Sequence, residues 1–188
     1  MRKQTFGLLG CTLMAGMISA CAADLPPIRP VAHVDLPRYM GRWYVIAAIP
    51  TRFERDAWNA VETYDLRKDD TVYTTFHFNK GGADGPLKRM HSIAYVRAER
   101  GNAVWGVQVL GPFKAQYVVA YLKPDYSEVI VARDARDYAW IMARAPEVNA
   151  TDWETLTAEL RSLGYDMDKL RRVPQTRSAP GAEAVDTP

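Results

Sequence analysis

The sequence predicts an all-β fold, an eight-stranded up-and-down antiparallel barrel with one C-terminal α-helix packed outside. Three observations carry that expectation. Short segments with apolar residues at every second position recur along the chain, separated by turn residues. One segment near the C-terminus instead repeats its apolar residues at helical spacing. Twelve Gly and twelve Pro, beside ten Tyr and five Trp, lean towards strands and turns rather than a helical bundle. At 188 residues and 48% hydrophobic, the chain can bury the core of a single domain. Its 24 basic and 22 acidic residues nearly cancel, so a nucleic acid is not an indicated partner.

The first segment lies outside the barrel. Residues 1–20 read as an export signal: Arg2 and Lys3 form its positive start, and an uncharged apolar stretch runs from Phe6 to Ile18. That stretch is short for a membrane span. It ends in Ile18-Ser19-Ala20-Cys21, which resembles a bacterial lipobox. The resemblance implies that Cys21 carries a diacylglycerol on its sulfur and, after cleavage, a further acyl chain on its amine. The other cysteine, Cys11, falls inside the signal, so the mature domain is expected to lack a disulfide. Two or three acyl chains, at about 0.8 kcal/mol per buried methylene, hold a domain at a bilayer. Ala22, directly after the cysteine, implies the outer membrane under the sorting convention of enteric-type bacteria, with the domain on its periplasmic face. Pro26, Pro27 and Pro30 make residues 21–34 an extended tether. The folded body is expected over residues 35–173. Residues 174–188, with three prolines and little apolar content, read as a disordered tail.

Within the body the first strand, Trp43–Ile49, stops at Pro50. The second, Asn59–Leu66, runs into Lys68-Asp69-Asp70. The third, Val72–Phe78, sets Val72, Thr74, Phe76 and Phe78 against Tyr73, Thr75 and His77. After a Gly- and Pro-rich turn at 81–86, Leu87–Arg97 forms the fourth, ending near Gly101-Asn102. The fifth, Ala103–Leu110, closes at Gly111-Pro112. Gln116–Leu122, Ser127–Ala132 and Tyr138–Arg144 complete the eight. Thr151 as N-cap with Glu154 three residues on reads as a capping box. Trp153, Leu156, Leu160 and Leu163 then follow at helical spacing, and Gly164 ends the helix. Leu170–Val173 is placed to return to the sheet edge. A closed barrel leaves no sheet edge, and its interior either fills with side chains or holds one small ligand. A filled sandwich or jelly roll would show the same periodicity.

Three further patterns resemble the lipocalin family. Leu36-Pro37-Arg38-Tyr39-Met40-Gly41-Arg42-Trp43-Tyr44 resembles its first signature, a Gly-x-Trp opening strand one. Lys123-Pro124-Asp125-Tyr126 resembles the second, with Pro124 where the family favours Thr, at the loss of a turn-capping hydroxyl. Trp140-Ile141-Met142-Ala143-Arg144 resembles the third, which ends strand eight on an Arg. The resemblance covers residues 35–173. Arg52-Phe53-Glu54-Arg55, Gly111-Pro112-Phe113 and Asp137-Tyr138-x-Trp140 bring in the bacterial members, which are outer-membrane lipoproteins. It implies that Trp43 closes one end of the barrel and that Arg144 lies across its ring, worth about 1 kcal/mol. Gly41, Trp43, Asp125, Tyr126 and Arg144 are thereby fold determinants, not ligand contacts.

Strand parity supplies a lining. Thr74 and Phe76, with Val72 and Phe78, share one face of strand three. Trp105, Val107 and Val109 do so on strand five, Tyr117, Val119 and Tyr121 on strand six, and Tyr138, Trp140 and Met142 on strand eight. On strand four Met90, Ser92 and Ala94 point in, which leaves His91 outside. Glu62 faces in if Tyr64 does, and then needs a partner or a raised pKa. The predicted ligand contacts are Glu62, Thr74, Phe76, Trp105, Val107, Tyr117, Tyr121 and Trp140, an apolar and aromatic set suited to an elongated hydrophobe.

Three functions remain open to the sequence. The first is a binding module, a membrane-anchored lipocalin for fatty acids or lysophospholipids. The second is an enzyme, for which no nucleophile elbow, zinc motif, Cys-x-x-Cys or phosphate loop is present. No catalytic residue, metal ligand or cofactor is predicted, and haem would want an inward His. The third is a structural lipoprotein with a filled barrel. Oligomeric state is not readable from these patterns.

Overall fold

In the computed structural model, which describes residues 25–108 and 111–176, each strand pairs with the next and the eighth returns to the first. Cys11, Cys21, the signal, Val109, Leu110 and residues 177–188 lie outside the described residues. A short helix α1 (Leu36–Tyr39) precedes β1 (Gly41–Ile49) and β2 (Ala57–Leu66). Then follow β3 (Thr71–Lys80), β4 (Leu87–Val96), β5 (Val104–Gln108), β6 (Ala115–Leu122), β7 (Glu128–Ala132) and β8 (Ala139–Ala143). Helix α2 (Ala150–Ser162) and a two-residue β9 (Arg171–Arg172) complete the chain. All neighbouring strands are antiparallel, and β1 pairs with both β2 and β8, which closes the barrel.

Alternation of side chains separates two cores. The inner one holds Trp43, Val45 and Ala48 of β1, Tyr64, Phe76, Trp105, Tyr117, Val131 and Met142. The outer one holds Ile46, Ile49, Val118, Ile130, Ile141 and Ala143 against Leu156, Leu160 and Tyr165. Leu156 and Leu160, both fully buried, each contribute about 1.5–3 kcal/mol to docking α2 on the wall. The helix starts two residues earlier than predicted. Asn149, not Thr151, is the N-cap: its Oδ1 accepts the Asp152 N–H at 2.8 Å, and its Nδ2 donates to the Asp152 carboxylate at 2.8 Å. That carboxylate also takes the Lys123 ammonium at 2.9 Å, which ties the cap to the β6–β7 loop.

The seam between β1 and β2 has its own filler. Their pairing runs only from Gly41↔Tyr64 to Tyr44↔Val61. Beyond it β9 pairs with Ala47 and Ala48, as the predicted return of Leu170–Val173 to the sheet requires. The chain stays docked past residue 173. Gln175 Nε2 donates to the carbonyls of Val45 and Ala60, and Asn59 Oδ1 accepts the Thr176 N–H at 2.7 Å.

Residues 25–34, the described part of the tether predicted over 21–34, form no helix or strand and lie against the wall. Ile28 and Val34 are buried. The Ile28 N–H donates to Asp134 Oδ1 at 2.7 Å, that of Val31 to the Val119 carbonyl, and that of Val34 to the Gly101 carbonyl. Gly101 has φ +62°, and a Cβ there would stand 2.1 Å from the Ala32 carbonyl oxygen, so this crossing needs glycine.

Candidate ligand-binding site

The two ends of the barrel differ. One carries α1 and the loops 67–70, 97–103 and 123–127; the other carries the loops 50–56, 81–86 and 133–138. At the first end Trp43, fully buried, donates its indole N–H to the Tyr39 carbonyl at 2.8 Å. The Arg144 guanidinium lies 3.8 Å from the Trp43 ring centroid and donates to the carbonyls of Arg38, Tyr39 and Arg42. Gly41, at φ +84°, gives the backbone its turn there. Asp125 accepts from the Ser127 N–H and hydroxyl, which pulls its pKa down. The Tyr126 hydroxyl accepts the Asp35 N–H at 2.9 Å, with Arg38 over its ring. All five predicted fold determinants sit at this closed end.

Above the Trp43 floor a cavity of about 190 Å³ opens towards the other end. Phe76, Met90, Trp105, Val107, Tyr117, Val131, Trp140 and Met142 supply its apolar wall, with Thr74 and Ser92 among them. Of the eight predicted contacts, Glu62, Thr74, Phe76, Trp105, Val107, Tyr117 and Trp140 line it. Tyr121 does not. A bulge between Val119 and Tyr121 shifts the β6–β7 register, so parity flips and Tyr121 packs with the outer core. His91 borders the cavity, but its ring stacks on Tyr73 outside, as strand parity requires.

Glu62 faces in, paired between Trp43 of β1 and Phe76 of β3. Tyr64 donates its hydroxyl to the Glu62 carboxylate. Having spent its one proton, the Tyr64 oxygen accepts from Tyr117 at 3.0 Å, and Tyr117 in turn accepts from Tyr39 at 2.7 Å. Three buried hydroxyls thus point in series at one carboxylate. Burial pushes the Glu62 pKa up to about 7; the Tyr64 bond opposes that shift and the charge of Glu54 adds to it.

Loops contribute residues that strand parity does not reach. Glu54 accepts from the Trp140 indole N–H at 3.0 Å and the Thr51 hydroxyl at 2.9 Å; burial raises its pKa against both bonds. Arg133, at the end of β7, joins Tyr138 and Thr51 in the lining. Its Nη1 pairs with Asp137 at 2.9 Å, while its Nε is buried with no hydrogen-bond partner. A buried unpaired donor costs about 1–3 kcal/mol. Arg133 follows β7 directly and Glu54 lies between β1 and β2, so no strand period carried a signal for either. Among the described residues no three His, Cys, Asp or Glu side chains gather as a metal site, and no helix is long and apolar enough to cross a membrane.

Known proteins resemble this chain in sequence and in fold. A lipocalin-like domain model matches residues 34–175. The outer membrane lipoprotein Blc of Citrobacter freundii is 32% identical over 172 residues, 89% of this chain and 93% of that protein. The protein of the same name from Escherichia coli (strain K12) is 31% identical over 91% of this chain and 97% of its own length. The temperature-induced lipocalin-1 of Arabidopsis thaliana is 28% identical over 80% of this chain and 84% of its own. Among solved structures, insecticyanin from the tobacco hornworm Manduca sexta superposes with a TM-score of 0.65 at 15% identity, over 82% of this chain and 87% of that one. Domain match, relatives and closed barrel agree: this chain belongs to the lipocalin family, whose proteins generally bind or transport small hydrophobic molecules.

Proposed function

We propose that this lipocalin binds slender amphiphiles with an acidic head, fatty acids or lysophospholipids, and stores or hands them on at the bacterial envelope without chemistry of its own. The observation that carries the reading is the cavity: apolar walls, a solid floor and one open end where the Arg133 Nε lacks a partner. An acyl chain fits down the wall by apolar burial. A carboxylate or phosphate at the mouth supplies the acceptor that Arg133 wants. About 190 Å³ lies below the ~300–1,000 Å³ of drug-sized pockets, which favours a thin chain over a tetrapyrrole. The lipobox resemblance at Cys21 and the lipoprotein names of the relatives support a lipid anchor in the outer membrane.

Native mass spectrometry of protein purified without detergent tests the reading. The expected result is a bound mass of one acyl lipid, lost in Phe76→Glu, which puts a charge on the wall. Unliganded protein that takes up no added fatty acid would instead mean a structural barrel.

A further inference from the structure

The open end carries surface features with no part in the cavity. Phe113 is 82% exposed, Phe53 58% and Leu87 41%. They come from three separate segments, the β5–β6 loop, the β1–β2 loop and the start of β4, and all three segments lie at the open end. Single exposed apolar residues are ordinary; three at one end, two of them aromatic, are not scattered. Cations flank Phe53 and Leu87 along the chain. Over residues 50–56 and 80–89, Arg52, Arg55, Lys80, Lys88 and Arg89 are exposed, against the exposed carboxylates of Asp56 and Asp84. Arg52 lies over the Phe53 ring at 4.6 Å.

The path of the N-terminal segment is an independent observation. Val34 is held at the closed end by Gly101, Val31 midway by Val119, and Ile28 at the open end by Asp134. Arg136, in the same β7–β8 loop, donates to the Pro26 carbonyl at 2.6 Å. The segment therefore runs from mouth to floor, and the chain preceding Leu25 starts from the mouth end. Cys21 is four residues before Leu25. Fully extended, four residues reach about 14 Å.

We infer that the open end of the barrel, with Phe53, Leu87 and Phe113 as its apolar contacts and the flanking cations against lipid phosphates, rests on a phospholipid bilayer. Phe and Leu side chains bury at the headgroup–acyl boundary, and each basic side chain near an anionic surface adds attraction. An anchor at Cys21 and the aromatic rim pull on the same end, so the cavity faces the membrane from which its ligand comes. This rests on the proposed lipid-binding role for its purpose, but the orientation is measurable without any ligand.

The first experiment uses the full-length chain on phosphatidylethanolamine–phosphatidylglycerol vesicles containing a diacyl lipid with a photoreactive headgroup. Adducts are expected on residues 52–55, 87–89 and 113. Adducts concentrated on 67–70, 97–102 or α2, or none on the rim, overturn the inference. The second follows uptake of a fluorescent fatty acid. Phe53→Ser with Phe113→Ser should slow uptake from vesicles at least tenfold and leave binding of the same probe from water unchanged. Leu66→Ser, exposed at the opposite end, should match the wild type. Equal vesicle uptake by all three proteins overturns the docking. A probe that fails to bind from water sinks the lipid-binding role instead, while the adduct map still decides the orientation.

Discussion

The closed and open ends of this barrel are made from the same strands and spend their residues differently. At the closed end the polar groups have partners: buried Trp43 on Tyr39, and the partly buried Arg144 on three carbonyls and Tyr126 on Asp35. At the open end an arginine nitrogen is buried without one, and two phenylalanines stand in solvent. Stability is concentrated where the chain seals the barrel. The mouth keeps the unsatisfied donor and exposed apolar surface that a ligand or membrane can cover.

The sharpest break in this comparison is at Trp43. Trp43→Ala removes a fully buried indole together with the ring beneath Arg144 and should cost about 3–5 kcal/mol. Urea unfolding followed by circular dichroism measures it. A cost no larger than that of a rim substitution would remove the distinction between the ends.

Glu62 sits between them and should make stability depend on pH. Its folded pKa, about 7, lies above the ordinary 4.5, so the folded state holds the proton more tightly than the unfolded chain. The sign follows: stability is fully present below pH 4.5 and declines as pH rises through 7. Glu54, raised in the same direction, adds to the trend, and Tyr39, Tyr64 and Tyr117 keep their protons across this window. The Glu62 contribution is on the order of 3 kcal/mol at 1.36 kcal/mol per pKa unit. Glu62→Gln should flatten the profile of urea midpoints between pH 5 and 8 and raise the midpoint at pH 8. An unchanged slope would show that Glu62 titrates as an ordinary carboxylate.

Arg133 tests the mouth alone. Arg133→Gln should weaken binding of a long-chain fatty acid by roughly ten- to a hundredfold, since a hydrogen bond to a charged group is worth about 1.5–3 kcal/mol. It should leave the matching fatty alcohol within about twofold, because the alcohol brings no charge for the guanidinium to meet. Isothermal titration with both ligands separates a head-group contact from a general loss of the cavity.

The sequence made the barrel legible wherever a strand is regular. Period two carried Thr74, Phe76, Trp105 and Val107 to the cavity wall, and Glu62 with them. It failed at Tyr121, because one extra residue in β6 reverses every later side chain and leaves no trace in the alternation itself. Glu54 and Arg133 were beyond its reach for another reason. Both lie outside the strands, where no period says which way a side chain turns, and only tertiary contacts with Trp140, Thr51 and Asp137 place them. The helix start was misplaced because Thr151…Glu154 fits the capping box, while the cap that forms, Asn149 on Asp152, departs from it. Lys123, far away in sequence, favours that cap by binding Asp152.

That misplaced cap supplies the smallest test. Asn149→Ala removes the acceptor for the Asp152 N–H and the donor to its carboxylate, and should cost about 1 kcal/mol. Thr151→Ala, at the second position of the helix and exposed, should change stability by less than about 0.5 kcal/mol. Phe113→Ser at the opposite end should fall in that same small range, although it deletes a whole aromatic ring, because the ring is already in water. The comparison between the ends then reduces to one measurable inversion. A single amide in a surface cap near the floor outweighs a phenyl group on the rim in thermal unfolding, and the order reverses when the readout is contact with a bilayer. If Phe113→Ser cost as much as Asn149→Ala in unfolding, the ring would be packed rather than presented, and the rim would belong to the fold like the floor.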